Sequence, residues 1–445
     1  MNFNVYSSLF MQAVYELTML NESPKNVLPS ALKLARKLLL LLMFTMLIFP
    51  SVLQEVKLAI LLTIFSLVIF CIKFNKYAFR LHSDFIIITL FIVCAGLFGS
   101  LNGVMNNAPG AISMLSVFFV YPLMGVFLIP LFRKSDYVTL RSFFYNATIS
   151  LIVIDVFFLL SFYHIDGGLV YSIFIHLYDE KAVVDNGGGN YLLFTLPNVA
   201  SMIFLLPFML VEFMVKKNVK TAFILLVSIC LMAITGRRAI FVIVMVGIII
   251  GFIYLNHIVK QGRRKIIKAA FLILPLAVLI SFFILRGVNF NFEMLDEQLT
   301  SIMNFSSDDS NLERKYQFDA LWQGIINHPF IGNGAGAVAS YIRSETQPWT
   351  YELFYIALVF QYGIPIFLLY LFGVIYLIYY LLKLIKDKSL DVQFRSFTLC
   401  LTSGLICFLI ANATNPYLAK FDFMLVIFLP AAIVNYYKLN RDVLC

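Results

Sequence analysis

The chain has 445 residues, of which 61% are hydrophobic and only 13% charged, whereas roughly a quarter of a soluble domain is charged. Length alone would suggest about three soluble domains, but this composition excludes a conventional soluble enzyme. The formal charge of +9 does not point to nucleic acid, because the basic residues stand in short clusters between apolar runs, where they act as topology signals.

The N-terminal segment carries Lys25, Lys33, Arg36 and Lys37 and shows no small-residue cleavage site after its first apolar run, so an uncleaved cytoplasmic N-terminus is expected. Apolar runs long enough to cross hydrocarbon as helices then predict spans at 38–54, 56–72, 85–101, 111–132, 143–163, 191–214, 221–235, 239–256, 269–285, 351–382, 397–411 and 421–437. The expected fold is all-α: a polytopic membrane bundle of twelve helices, forming one transmembrane domain over 1–437 with a cytoplasmic tail at 438–445. With both termini inside, 24 of the 33 basic residues face the cytoplasm. The other nine are Lys57, Lys181, Arg237, Arg238, Arg286, Arg314, Lys315, Arg343 and Lys420, a bias of the kind that sets orientation.

Two external segments exceed a simple turn. The loop 164–190 contains Asn186-Gly187-Gly188-Gly189-Asn190, which holds regular structure only at an entropic cost and predicts a mobile surface loop. The loop 286–350 is larger. In it Ser310-Asn311-Leu312-Glu313 has capping-box spacing, and Leu312, Tyr316, Phe318, Leu321, Trp322, Ile325 and Ile326 follow at helical spacing until His328-Pro329, predicting an amphipathic helix. No internal repeat or pair of inverted halves is visible. The six cysteines, Cys71, Cys94, Cys230, Cys400, Cys407 and Cys445, lack paired ligand spacing and mostly lie in apolar runs, as packing residues do.

Chemistry gathers on the external side. At Thr235-Gly236-Arg237-Arg238-Ala239 two arginines oppose the topology bias. They either snorkel to lipid phosphates or grip a phosphate or pyrophosphate, which guanidinium forks match in bidentate geometry. Arg314 and Arg343 are either surface charges paired with Glu313 or Glu345, or the closing side of a cationic site above that turn. Gly332-Asn333-Gly334-Ala335-Gly336 lacks the Lys-Ser/Thr of a nucleotide loop and is expected to be a tight turn that brings Trp349 and Glu352 back to the membrane. Glu352 stands at the external start of an apolar run between Tyr351 and Tyr355. It is either a plain helix-start acid or a general base, poised by a helix N-terminus and partial burial. Asp155 is almost alone as an acid within a predicted span. The histidines show neither metal-ligand nor triad spacing, so no metal and no cofactor is expected.

Three pieces of this sequence resemble the bacterial O-antigen polymerase (Wzy-type) and O-antigen ligase superfamily of membrane glycosyltransferases. Thr235-Gly236-Arg237-Arg238-Ala239 resembles its external T-G-S-R-G turn, with Arg237 at the serine. Arg314, Trp322 and His328-Pro329-Phe330-Ile331-Gly332-Asn333-Gly334-Ala335-Gly336 resemble its R…W…hP-hydrophobic-hydrophobic-G-x-G-x-G segment. Tyr351-Glu352, followed by Gly363-Ile364, resembles the helix start at which ligases carry His-Asn, and here Glu352 replaces the histidine. That departure favours a polymerase.

The resemblance implies metal-independent transfer of a glycan from an undecaprenyl pyrophosphate carrier to a hydroxyl of another lipid-linked repeat unit at the periplasmic face of the bacterial inner membrane. In that reading Glu352 is the catalytic base and Arg237, Arg238, Arg314 and Arg343 bind pyrophosphate. Tyr351, Trp322 and Tyr355 are candidate glycan contacts. Partners would be the lipid-linked oligosaccharide, membrane lipid and a chain-length regulator protein, with no nucleic acid. The alternatives are a ligase of the same superfamily or a lipid-linked oligosaccharide flippase or transporter, which should carry polar residues within several spans.

Overall fold

The computed structural model describes residues 24–75, 80–132, 136–164, 167–178, 182–185, 193–235, 237, 239–258 and 309–440. Over these the chain is an all-α, multi-pass membrane bundle. In order come α1 (Pro24–Ile48), α2 (Gln54–Asn75), α3 (Ser83–Met105), α4 (Ala111–Leu128) and α5 (Asp136–Phe162). They are followed by α6 (Leu169–Tyr178), α7 (Val199–Lys216), α8 (Val219–Ile234) and α9 (Ala239–Ile258). The last five are α10 (Asp309–Asn327), α11 (Phe354–Tyr362), α12 (Ile364–Lys386), α13 (Val392–Ala411) and α14 (Leu425–Leu439). Where twelve spans were expected, eight of the described helices are long and apolar enough to cross a membrane, with α6, α8 and Val242–Leu255 as shorter apolar pieces. The expected span 269–285 lies outside the described residues.

Burial ranks the helices. In α7 every position from Val199 to Met214 is buried, as expected of a helix that is apolar all round, and α13 is buried along most of its length. These two pack together at the centre, with α8 and α9 against α7, while α1 pairs with α2 and α3 with α12 around them. Small residues permit the closest approaches: a Cβ on Gly404 of α13 would stand 2.8 Å from the Phe204 ring of α7. By contrast α2, α3, α4, α5 and α12 turn most of their apolar surface outward, as lipid-facing helices do.

Asp155 is not the lone acid inside the bundle. Glu212 of α7 accepts from Arg141 Nη2 and from Lys216 Nζ, each at 2.7 Å, while Arg141 also donates to Gln393 and Ser396 of α13. Asp422 pairs with the fully buried Lys57 and accepts from the Ser51 backbone N–H at 2.9 Å and Gln54 Nε2 at 3.1 Å. Asp155 accepts from Asn198 Nδ2 at 2.9 Å. Buried charge persists only with such partners.

The helix expected over 191–214 starts only at Val199. Leu193–Thr195 is instead a strand, β2, paired antiparallel with β1 (Val183–Asp185) so that Val183 faces Thr195. Hydropathy cannot separate a short apolar strand from a helix, and Pro197, which lacks an N–H, closes the strand off from α7. The loop 164–190 accordingly contains α6 and β1, while its triple glycine lies outside the described residues.

The run 351–382 is likewise not one helix. It breaks at Gly363, whose φ of 75° is open to glycine and costly for other residues. The glycine-rich segment after His328 fills the break. The N–H groups of Asn333 and Gly334 donate to the carbonyls of Phe360 and Gln361, both at 2.9 Å, and Ile364 N–H donates to the Pro329 carbonyl at 2.8 Å. Ala335 N–H donates to Gly99 of α3 at 3.0 Å, and a Cβ on Gly334 would lie 2.6 Å from the Gly103 Cα. The segment is therefore a tight turn, as expected, and it locks the α11–α12 break onto the end of α3.

Candidate functional site

Helix α10 packs on α11 and supplies most of the candidate site. Asn311, Gln317, Leu321 and Ile325 are buried on its inner side, with Arg314 between the first two at helical spacing. Glu313 accepts from Gln317 Nε2 and faces Arg343 Nε, both at 3.5 Å, while the Ser310 side chain of the expected capping box lies outside the described residues. Glu352 arrives just ahead of α11, fixed by its own backbone N–H, which donates to Gln317 Oε1 at 2.9 Å.

Two arginines meet on that carboxylate. Arg314 Nε donates to Glu352 Oε2 and Arg343 Nη2 lies against Glu352 Oε1, each at 2.8 Å, and Arg314 Nη1 turns to Asn311 Oδ1 at 3.4 Å. A carboxylate offers about four lone-pair positions and a guanidinium five N–H donors, so neither side is saturated. The cluster is also open: 28% of the Arg314 side chain and 34% of the Arg343 side chain are exposed. Such a site can take an anion on its arginines and a hydroxyl proton on its carboxylate.

The other candidates separate. Tyr351 lies beneath the cluster, buried, with its hydroxyl accepting the Ala339 N–H at 2.6 Å, and burial pushes its phenol pKa up. Tyr355 donates its hydroxyl to the Leu409 carbonyl at 2.6 Å, so both tyrosines are spent on the scaffold. Trp322 is exposed and stacks on Phe318. Arg237 does not join the Glu352 cluster, since its Nη1 donates to the Tyr417 hydroxyl at 3.0 Å, in the turn between α13 and α14. Arg238 lies outside the described residues. Among the described residues no three His, Cys, Asp or Glu side chains gather as a metal set.

Sequence reasoning missed Gln317 and Tyr417. Gln317 was findable, because it follows Arg314 by three positions and so shares its helix face. Tyr417 carried no such signal, being 180 residues from its arginine.

Residues 222–371 match the family described as O-antigen ligase, and the resemblance to the O-antigen polymerase and ligase superfamily is borne out. The matched stretch begins inside α8 and ends inside α12, so it contains Arg237, Arg314, Arg343 and Glu352 together. No curated protein matches the chain.

Proposed function

We propose that this chain is a surface-polysaccharide polymerase of that superfamily, transferring a glycan from undecaprenyl pyrophosphate to a hydroxyl of another lipid-linked repeat unit at the periplasmic face of the bacterial inner membrane. The observation that carries the proposal is Glu352 held between Arg314 and Arg343 within the matched segment. In the step, the acceptor oxygen bonds to the donor sugar's anomeric carbon as the bond from that carbon to the phosphate oxygen breaks. The hydroxyl proton passes to Glu352, and the electron pair leaves with the pyrophosphate. Guanidinium forks neutralise that leaving group, and the carboxylate needs only one free lone pair to accept the proton.

The paired ground state suggests an order. Pyrophosphate competes with Glu352 for the same N–H donors, so donor binding loosens the carboxylate as it fills the arginines. Arg237 and Arg238 would extend the anion site from the neighbouring turn, and a chain-length regulator would be the protein partner. A ligase is the second reading, favoured by the description of the matched family. Deleting the gene and resolving the host's lipopolysaccharide on a gel tests both. A ladder collapsed to single-unit caps supports a polymerase. Loss of all transferred units supports the ligase, and an unchanged ladder refutes both.

A further inference from the structure

We infer that the outward face of α10 is a membrane-docking surface seated in the headgroup zone of the bilayer. Phe318, Trp322 and Ile326 recur every fourth residue, so they form one stripe, and they are 39%, 48% and 55% exposed. The Phe318 and Trp322 rings stack at 5.8 Å with planes only 8° apart, which presents a flat aromatic surface. Phe330 and Ile331 prolong the stripe past the helix end and are more exposed still. A contiguous apolar strip of this kind on a water-facing loop marks an interaction site.

What covers the strip is set by what it adjoins. Asn102 Nδ2 donates to the Ile331 carbonyl at 3.0 Å, and Ala335 N–H donates to the Gly99 carbonyl one helix turn earlier. The end of the stripe is thus bolted to the last turns of α3. There Phe98, Leu101, Val104 and Met105 face outward on a helix long and apolar enough to span. Phe330 and Ile331 continue that lipid-facing wall, and α10 carries it over the rim. The flanking residues fit a shallow seat: exposed Lys315, Asp319 and Gln323, also spaced by four, form a polar row alongside the stripe, in which Lys315 can reach lipid phosphates while Asp319 and Gln323 keep the helix out of hydrocarbon. Arg314 and Gln317 point from the inner side of the same helix, so the seat would hold the Glu352 cluster within about one helix diameter, ~10–12 Å, of the headgroups.

The chain's two tryptophans, Trp322 and Trp349, make this measurable independently of any activity. The Trp349→Phe protein is reconstituted in phosphatidylcholine vesicles whose acyl chains are brominated either near the headgroup or near the chain end. Wild-type signal minus that of Trp322→Phe gives the same readout if Trp349→Phe fails to fold. Trp322 fluorescence should be quenched about two-fold more by the shallow bromines than by the deep ones, as expected of a helix at the headgroup boundary. Quenching by aqueous acrylamide alone would place the stripe in water and overturn the inference. Quenching by neither lipid nor acrylamide would overturn it in favour of a protein partner or a second copy over the stripe.

Discussion

Two acid clusters in this molecule use the same ions for opposite ends. At Glu212 the carboxylate receives Arg141 and Lys216, and Arg141 spends its other N–H groups on Gln393 and Ser396. At Glu352 the carboxylate receives Arg314 and Arg343, but the cluster opens to solvent and donors remain unspent. Only 4% of the Glu212 side chain and 9% of its Arg141 partner are exposed, with Lys216 reaching solvent at the rim (42%), against 13% for Glu352 and about a third for each of its arginines, so it is the Arg141–Glu212 pair that is sealed. The difference teaches that pairing alone says nothing about role. A sealed and saturated ion pair fastens helices together, whereas an open and unsaturated one can exchange a partner for a ligand.

The comparison breaks first at Glu352. Replacing it by Gln keeps shape and polarity but removes the base, so glycan transfer by the purified protein should slow by roughly 10² to 10⁴, the contribution of a positioned general base. Glu352→Asp should be impaired but measurable. Arg314→Ala should lose activity to a similar degree, with Arg314→Lys a poor rescue because the fork is gone. Wild-type rates from Glu352→Gln would make the acid structural and send the proton elsewhere, for example to a donor phosphate oxygen.

The sealed cluster should respond in stability instead. Arg141→Met leaves Glu212 buried with a lost partner and should cost about 3–5 kcal/mol, the usual consequence of breaking a buried pair. The melting temperature in detergent reads this directly. The double variant Arg141→Met with Glu212→Leu should recover most of the loss, while activity per folded molecule stays at the wild-type level. A selective loss of activity with unchanged melting would erase the distinction between the two clusters.

What sequence could and could not reveal follows from range. Hydropathy located the helices well because each span is a local property, and the glycine segment was recognisable as a turn because its missing Lys-Ser/Thr is local too. The break at Gly363 was missed because the apolar run continues on both sides, although Gly363 with Pro365 in the first turn of α12 is a local stop-and-start signal. Lys57 looked like an external loop charge because its partner Asp422 stands 365 residues away. At the site, Glu352 and the arginines were identifiable as residue types at an exposed helix start. Their mutual contacts were not, because three separate segments must converge to make them.

Gln317 tests how tightly that convergence is held. It accepts the Glu352 backbone N–H from a fully buried position, so Gln317→Leu would leave that N–H without its acceptor, at about 1–3 kcal/mol. If the site depends on this anchor, kcat should fall about tenfold for the first 1.4 kcal/mol, with protein level unchanged. A rise in KM with kcat unchanged would instead assign Gln317 to the substrate pocket.

The smallest effect is expected at Glu313, and it marks the edge of the cluster. Its contact with Arg343 is long, 3.5 Å, and both side chains are about one-third exposed. Exposed pairs of this kind are worth about 0–1 kcal/mol, so Glu313→Gln should change the transfer rate by at most about five-fold. The remainder should vanish at high salt, because about 1 M salt shortens electrostatic reach to ~3 Å. Arg343 keeps its stronger bond to Glu352 at 2.8 Å in either case, which is why the loss stays small. A defect as deep as that of Glu352→Gln, and insensitive to salt, would place Glu313 on the proton's route and make the site a pair of carboxylates sharing one arginine.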